Sequence, residues 1–287
     1  MKKKLNTYVI LMTAFYVKIV GKFWPSLAGR AVNLFWFNVQ KPKPNSARET
    51  WIAKSNTTPI HHRGQILKAY HRKPAQPSQG QVILVHGWSG RWDQLLSIAE
   101  ELHHKNFEVI TFDLPSHGEN KGQESDFPEQ SEFLKSVCDT LNLNSPIVVC
   151  HSAGFLTLSH AILARELQIS KLVTINSPAR FEFLFELFCK QLNLPPSFDA
   201  ELWKVIERRL NKKDVRSQFS TLHMSQLNQK DILNIHDQND KEVHYSEFEQ
   251  MNRLWPNSKK LSTVNLGHNR ILKDQRTVQA ISDFLSF

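Results

Sequence analysis

Apolar residues along this chain alternate between two rhythms. Short continuous runs, Val82-Ile83-Leu84-Val85, Phe107 to Phe112, Ile147-Val148-Val149 and Leu172 to Ile175, have the length and β-branched content of buried strands. Between them, apolar residues recur at helical spacing: Leu95, Leu96, Ile98, Ala99 and Leu102, then Phe133, Leu134, Val137 and Leu141, then Phe155, Leu156, Leu158, Ile162 and Leu163. Strands that alternate with helices predict an α/β protein whose mostly parallel sheet is covered on both faces. Residues 51–53 and 66–70 read as the strands of an opening hairpin, and the polar loop 73–80 follows. From residue 179 to 230 strand patterns vanish, and Phe181, Phe183, Leu184, Phe185, Leu187 and Phe188 crowd a helical stretch, which predicts a helical cap inserted into the core. The division expected is an N-terminal helical arm at 1–49, a core at 50–178, the cap at 179–230 and the rest of the core at 231–287.

Composition narrows the picture. With 287 residues the chain can bury a large core. Cys138, Cys150 and Cys189 are odd in number and lack Cys-x-x-Cys spacing, so neither a disulfide framework nor a zinc site is indicated, and a reducing, cytoplasmic location is expected. The net charge of +9 comes with no nucleic-acid motif, so nucleic acid is not an expected partner. At the N-terminus Lys2, Lys3 and Lys4 precede apolar residues 8–12 and 14–20, with Lys18 and Lys22 interrupting. No small-x-small cleavage pattern follows, and the uninterrupted part is short for a membrane span of about 20 residues. An amphipathic helix, packed on the domain or lying at a membrane surface, is the preferred reading over a signal or anchor. Lys41-Pro-Lys-Pro-Asn-Ser ends the arm.

The candidate chemistry sits where strands end. The run Ile147-Val148-Val149-Cys150-His151-Ser152-Ala153-Gly154 passes from strand to helix within a few residues, with Ser152 on the bend. A tight strand-to-helix turn forces its central residue into an unfavourable backbone conformation and needs small neighbours two positions away. Those neighbours are Cys150 and Gly154, a departure from Gly-x-Ser-x-Gly at the first position. Read by itself, the segment fits a helix-capping serine equally well. Val85 is followed by His86-Gly87-Trp88, a place where a backbone N–H can face a developing oxyanion. Residues 231–240 form a late strand delivering Asp237 and Asp240, and Gly267-His268 lies beyond the last strand.

Serine, then acid, then histidine is the chain order of the α/β-hydrolase triad, and the sequence resembles that superfamily from about residue 24 onward, most of all single-domain bacterial serine hydrolases of unassigned substrate. The matching motifs are His86-Gly87-Trp88, Asp113-Leu114-Pro115-Ser116-His117-Gly118, the elbow at Ser152, His236-Asp237-Gln238-Asn239-Asp240, and Gly267-His268-Asn269-Arg270-Ile271-Leu272. The resemblance implies an α/β-hydrolase fold with Ser152 as nucleophile, His268 as base and Asp240 rather than Asp237 as acid. Asp237 then reads as a turn-forming aspartate bonded to nearby backbone. Backbone N–H groups of Trp88 and Ala153 are the implied oxyanion donors, and Trp88 and Trp92 are candidate pocket residues. His86, His151 and His117 fall at positions that are structural in such proteins, and residues 27–37 resemble an N-terminal helix of these relatives. The expected activity is cleavage of a carboxylic ester, a small acyl compound, with no metal or organic cofactor. Thioester, aminopeptidase-like or carbon–carbon hydrolysis on the same triad, and a non-catalytic ligand-binding role, are the alternatives.

Overall fold

A computed structural model describes residue 19, residues 36–191 and 198–211, residues 215, 224 and 227, and residues 231–286. The chain divides into two compact units, residues 39–179 with 221–287, and residues 1–38 with 180–220. The apolar segment 8–20 and most of the N-terminal helix expected at 27–37 fall outside the described residues.

The larger unit is built on one eight-stranded sheet with strand order β1-β2-β4-β3-β5-β6-β7-β8. Its strands are β1 (Asn56–His62), β2 (Gln65–Arg72), β3 (Gln81–Val85), β4 (Glu108–Phe112), β5 (Ile147–His151), β6 (Lys171–Ile175), β7 (Asp231–Asp237) and β8 (Lys259–Thr263). Pairing is antiparallel from β1 to β2 and from β2 to β4, and parallel everywhere else. The central parallel strands β3, β4, β5 and β6 are mostly apolar because both faces are covered. Alternate residues feed separate clusters: Ile83, Val85, Val148 and Cys150 enter one, and Val82, Leu84, Ile147 and Val149 the other. The covering helices are α1 (Arg48–Ala53), α2 (Leu96–His104), α3 (Phe127–Thr140) and α4 (Gly154–Arg165) in the first part, and α7 (Tyr245–Leu254), the short α8 (Gly267–Arg270) and α9 (Gln275–Leu285) near the C-terminus. Asp126 and Asp274 accept hydrogen bonds from Glu129 N and Thr277 N and so cap α3 and α9.

One expectation needs correction. Residues 51–53 are not a strand but the end of α1, which buries Trp51 edge-on to His103, with centroids 6.1 Å apart, and under the Arg72 guanidinium at 4.6 Å. The hairpin partner of β2 is residues 56–62, whose Pro59, opposite Lys68, masks a strand pattern. Proline is tolerated there because β1 is the sheet edge, where a missing N–H costs no ladder bond.

In the smaller unit, α5 (Phe181–Gln191) and α6 (Phe198–Leu210) are both helical. Trp36 stacks on Phe185 and Phe185 on Trp203, each at 4.5 Å, so the aromatic crowding read in the sequence is here internal packing.

Candidate active site

Parallel strands all end on the same edge of a sheet, and the residues that follow β3, β5, β6, β7 and β8 meet there. Ser152 follows β5 directly and adopts φ +53°, a left-handed backbone uncommon for a residue with a side chain. Its N–H donates to the Ile175 carbonyl at 2.9 Å, which continues the sheet ladder into the bend. Two glycines make the turn sterically feasible. A Cβ on Gly154 would lie 2.6 Å from the His86 carbonyl oxygen and 2.7 Å from that of Val85, and one on Gly87 would lie 2.8 Å from the Ser152 Cβ. The position where the common elbow has its first glycine is different. Cys150 points into the core cluster, fully buried, so its side chain has room, and burial raises its thiol pKa.

Gly87 lies against Ser152, and buried histidines fix the surroundings of Gly87 and Trp88. The Leu114 N–H donates to His86 Nε2 at 3.0 Å, so the proton of the neutral ring sits on Nδ1 and is given to the Gly87 carbonyl at 2.8 Å. Burial, only partly offset by that carbonyl, depresses the His86 pKa to about 4. His117 donates Nδ1–H to the Pro115 carbonyl and is pushed by burial to about 3. The half-exposed Trp88 ring packs edge-on to His117 at 5.5 Å and beside Phe127 at 5.6 Å. Trp92 is a core residue. It is 1 % exposed, lies in the core cluster with Leu95 and Ile271, packs its indole on Tyr70 at 5.4 Å and gives its backbone N–H to Asp113 Oδ1.

The two aspartates after β7 occupy contrasting environments. Asp237 is fully buried and accepts from Asn239 N, Thr263 Oγ1 and Leu266 N at 2.8 to 3.0 Å. Burial alone would raise its pKa, but the Gly267 N–H, the Thr263 hydroxyl and the other N–H donors outweigh it and the pKa is lowered. Asp240 divides its oxygens. Oδ1 accepts from Glu242 N and Val243 N, and Oδ2 lies 2.7 Å from His268 Nδ1. Both side chains of this pair are buried, at 0 % and 8 % exposure. The bond puts the imidazole proton on Nδ1 and leaves Nε2 as the basic atom.

Nε2 lies 3.6 Å from the exposed carboxylate of Glu242, and no hydrogen bond joins it to Ser152 Oγ among the described residues. The imidazole is nevertheless beside the nucleophile's neighbour: its ring is 4.7 Å from that of His151. Of the residues singled out in the sequence, Ser152, Asp240 and His268 therefore gather at one sheet edge with the Asp–His bond made and the Ser–His bond open. Catalytic bonds of this kind are often long without substrate and tighten in the complex. Among the described residues no group of three or more His, Cys, Asp and Glu side chains is arranged to hold a metal ion.

Sequence reasoning missed Asn176 and Glu242. Asn176, fully buried with φ +45°, follows β6 and reaches the backbone of both Asp237 and His268. An asparagine at a strand's carboxyl end is the one signal that could have drawn attention to it.

Residues 80–202 match the protein family described as alpha/beta hydrolase fold. The esterase Pf2001 of Pyrococcus furiosus superposes with a TM-score of 0.64 at 17% identity over 86% of this chain and 98% of its own. Est1E of Butyrivibrio proteoclasticus, solved with ferulic acid, gives 0.61 at 16% identity over 80% and 96%. A meta-cleavage product hydrolase of Pseudomonas fluorescens gives 0.57 at 15% over 81% and 98%. In sequence, a Mycoplasma genitalium protein named esterase/lipase 2 is 29% identical over 75 residues; that stretch is 25% of this chain and only 28% of that protein's length. The fold is the α/β-hydrolase fold, and residues 80–202 are the part of the chain that matches the family in sequence.

Proposed function

We propose that this protein is a serine hydrolase that cleaves a carboxylic ester by way of an acyl-enzyme. The observation carrying the reading is the 2.7 Å bond from His268 Nδ1 to buried Asp240, set at the same sheet edge as a serine held at φ +53°. A serine hydroxyl is a weak nucleophile at its free pKa and needs a base. Neutral His268, with Nε2 unprotonated, takes the Ser152 proton as Oγ attacks the ester carbonyl carbon. The N–H groups of Trp88 and Ala153 donate to the oxyanion of the tetrahedral intermediate. The imidazolium then returns its proton to the alcohol oxygen as the carbon–oxygen bond breaks, leaving the acyl group on Ser152. In the second half, His268 deprotonates a water that attacks the acyl carbon, and the imidazolium gives that proton to Ser152 Oγ as its bond to the acyl carbon breaks, releasing the carboxylic acid and restoring the serine hydroxyl. Asp240 holds the tautomer and stabilises the imidazolium.

Support for an ester rather than another acyl substrate comes from the esterases among the similar proteins. The Trp88 ring, tied to the oxyanion loop, is proposed to meet the acyl group. No described helix is long and apolar enough to cross a membrane. Contact of the N-terminal segment with a membrane surface is carried as a proposal on its basic and apolar sequence.

The test is Ser152→Ala assayed on small activated esters. Turnover is expected to fall on the order of 10⁴-fold or more with the thermal melt unchanged. Turnover that survives the substitution refutes the assignment. A fluorophosphonate should label the parent and not this variant, and a panel of ester, thioester and aminoacyl substrates ranks the bond types.

A further inference from the structure

We propose that Asn176, assisted by His151, is a positioning residue: it clamps the backbone of the His268 loop, so that the imidazole reaches Ser152 by side-chain rotation about a fixed Cα. The inference rests on the triad reading above and extends it to residues that touch neither substrate nor the reacting atoms.

Hydrogen-bond accounting carries the argument. Gly267, at φ +67°, turns the chain after β8 and exposes backbone groups on both sides of the loop. Its N–H side is taken by Asp237, which accepts from Leu266 N and from the Gly267 N–H. Its carbonyl side is taken by donors. Asn176 Nδ2 lies 3.2 Å from the Gly267 oxygen and 3.3 Å from the His268 oxygen, and His151 Nε2 lies 3.0 Å from the same His268 oxygen. A carbonyl only accepts, so His151 carries its proton on Nε2, consistent with a ring whose pKa burial drives well below the ordinary value. Meanwhile Asn176 Oδ1 accepts from Asp237 N at 2.8 Å, and the Asn176 N–H donates to the Ile235 carbonyl at 2.9 Å. One amide thus ties the ends of β6 and β7 to the backbone of the proposed base.

The chemistry selects asparagine. The position needs an acceptor for one N–H, donors for two carbonyls and tolerance of a left-handed backbone. Aspartate supplies the acceptor but sets negative charge against two carbonyl oxygens. Leucine supplies neither. His151 adds the second donor and lays its ring along the imidazole, from the strand that also carries Ser152.

The experiment pairs Asn176→Gly, which keeps the left-handed backbone and deletes the side chain, with Asn176→Asp, which keeps the shape and removes the donors. Thermal melts by circular dichroism establish folding first. Expected for both is a fall in kcat of about tenfold to a hundredfold, the penalty for misplacing a reacting group by around an ångström, with KM within twofold. The downfield proton resonance of His268 Nδ1–H, assigned by its loss in Asp240→Asn, should broaden or shift in both. If neither Asn176 variant folds, His151→Phe, which keeps a ring and loses the donor, is read in the same way. Unchanged kcat together with an unchanged resonance overturns the clamp. Ser152→Ala run alongside separates the failures: if that variant is dead while the Asn176 variants behave as the parent, the clamp alone is wrong, and if it is active the triad reading is wrong.

Discussion

At the Ser152 turn there is no room for one more methyl group on either flanking glycine, whereas at the His268 loop backbone groups are answered by polar side chains. The turn is fixed by crowding. Gly87 and Gly154 stand where any Cβ would press on Ser152 or on the carbonyls of Val85 and His86. The loop is fixed by pairing, with Asp237 taking N–H groups and Asn176 and His151 taking carbonyls. A catalytic group can thus be held by steric exclusion or by hydrogen bonds, and the two devices fail under different substitutions.

With Ser152 itself left in place, the largest effect should come from the loop. Asp240→Asn keeps the shape but lets the imidazole take the wrong tautomer, and kcat on an activated ester is expected to drop about 10³- to 10⁴-fold. Asp237→Asn should instead cost about 1–2 kcal/mol of stability, since it weakens several buried bonds, with a much smaller change in kcat. If Asp237→Asn were the crippling change in steady-state kinetics, the roles of the two aspartates would have to be exchanged.

Next comes the turn. Gly154→Ala should destabilise by about 1–3 kcal/mol through overpacking against backbone that cannot swing aside, and lower kcat as Ser152 is displaced. Gly64→Ala is the contrast, because Gly64 has φ +75° but nothing within 4 Å of a new Cβ, so it tests conformation without crowding. A Gly154→Ala melt no lower than that of Gly64→Ala would end the steric account of the turn.

The remaining test is acid, which changes no residue. His86, His117 and His151 are all depressed below their ordinary 6.5 in the folded state, so below that pH the unfolded chain binds protons the folded chain refuses. Stability therefore falls as pH drops from about 6.5 toward 4, by up to about 1.4 kcal/mol per pH unit for each histidine. Asp237 works in another window. Its pKa is lowered from 3.8, so its contribution is present above that value and is lost only as pH falls through the folded pKa. Melting temperature should decline between about pH 6.5 and 4 and decline further below 4 as Asp237 is protonated. A flat profile across the first interval contradicts the neutral, buried state of the three rings.

The steric device was readable in the sequence, and the polar one largely was not. Gly154 sits two positions from Ser152, and Gly87, although distant from it in the chain, is marked by the strongly apolar strand run that ends just before it. Asp237 also drew the right kind of attention, as an aspartate that bonds to backbone nearby. Asn176, by contrast, acts on residues 61 and 92 positions away, and no local pattern encodes a partner at that distance. Trp51 and Ile52 looked like strand residues because aromatic and β-branched types favour strands, but both stand in the short helix α1, which buries the indole. Pro59 hid the true edge strand.

The thiol at position 150 has a practical consequence. It sits two residues from the Ser152 hydroxyl, yet it is sealed in the core and kept protonated by its surroundings. Maleimides and iodoacetamide need an accessible thiolate, so at neutral pH they should pass this cysteine by, leaving serine-directed and thiol-directed reagents to report on separate parts of the protein. Inactivation by a thiol reagent would accordingly point to half-buried Cys189 or to unfolding, and not to chemistry at the turn.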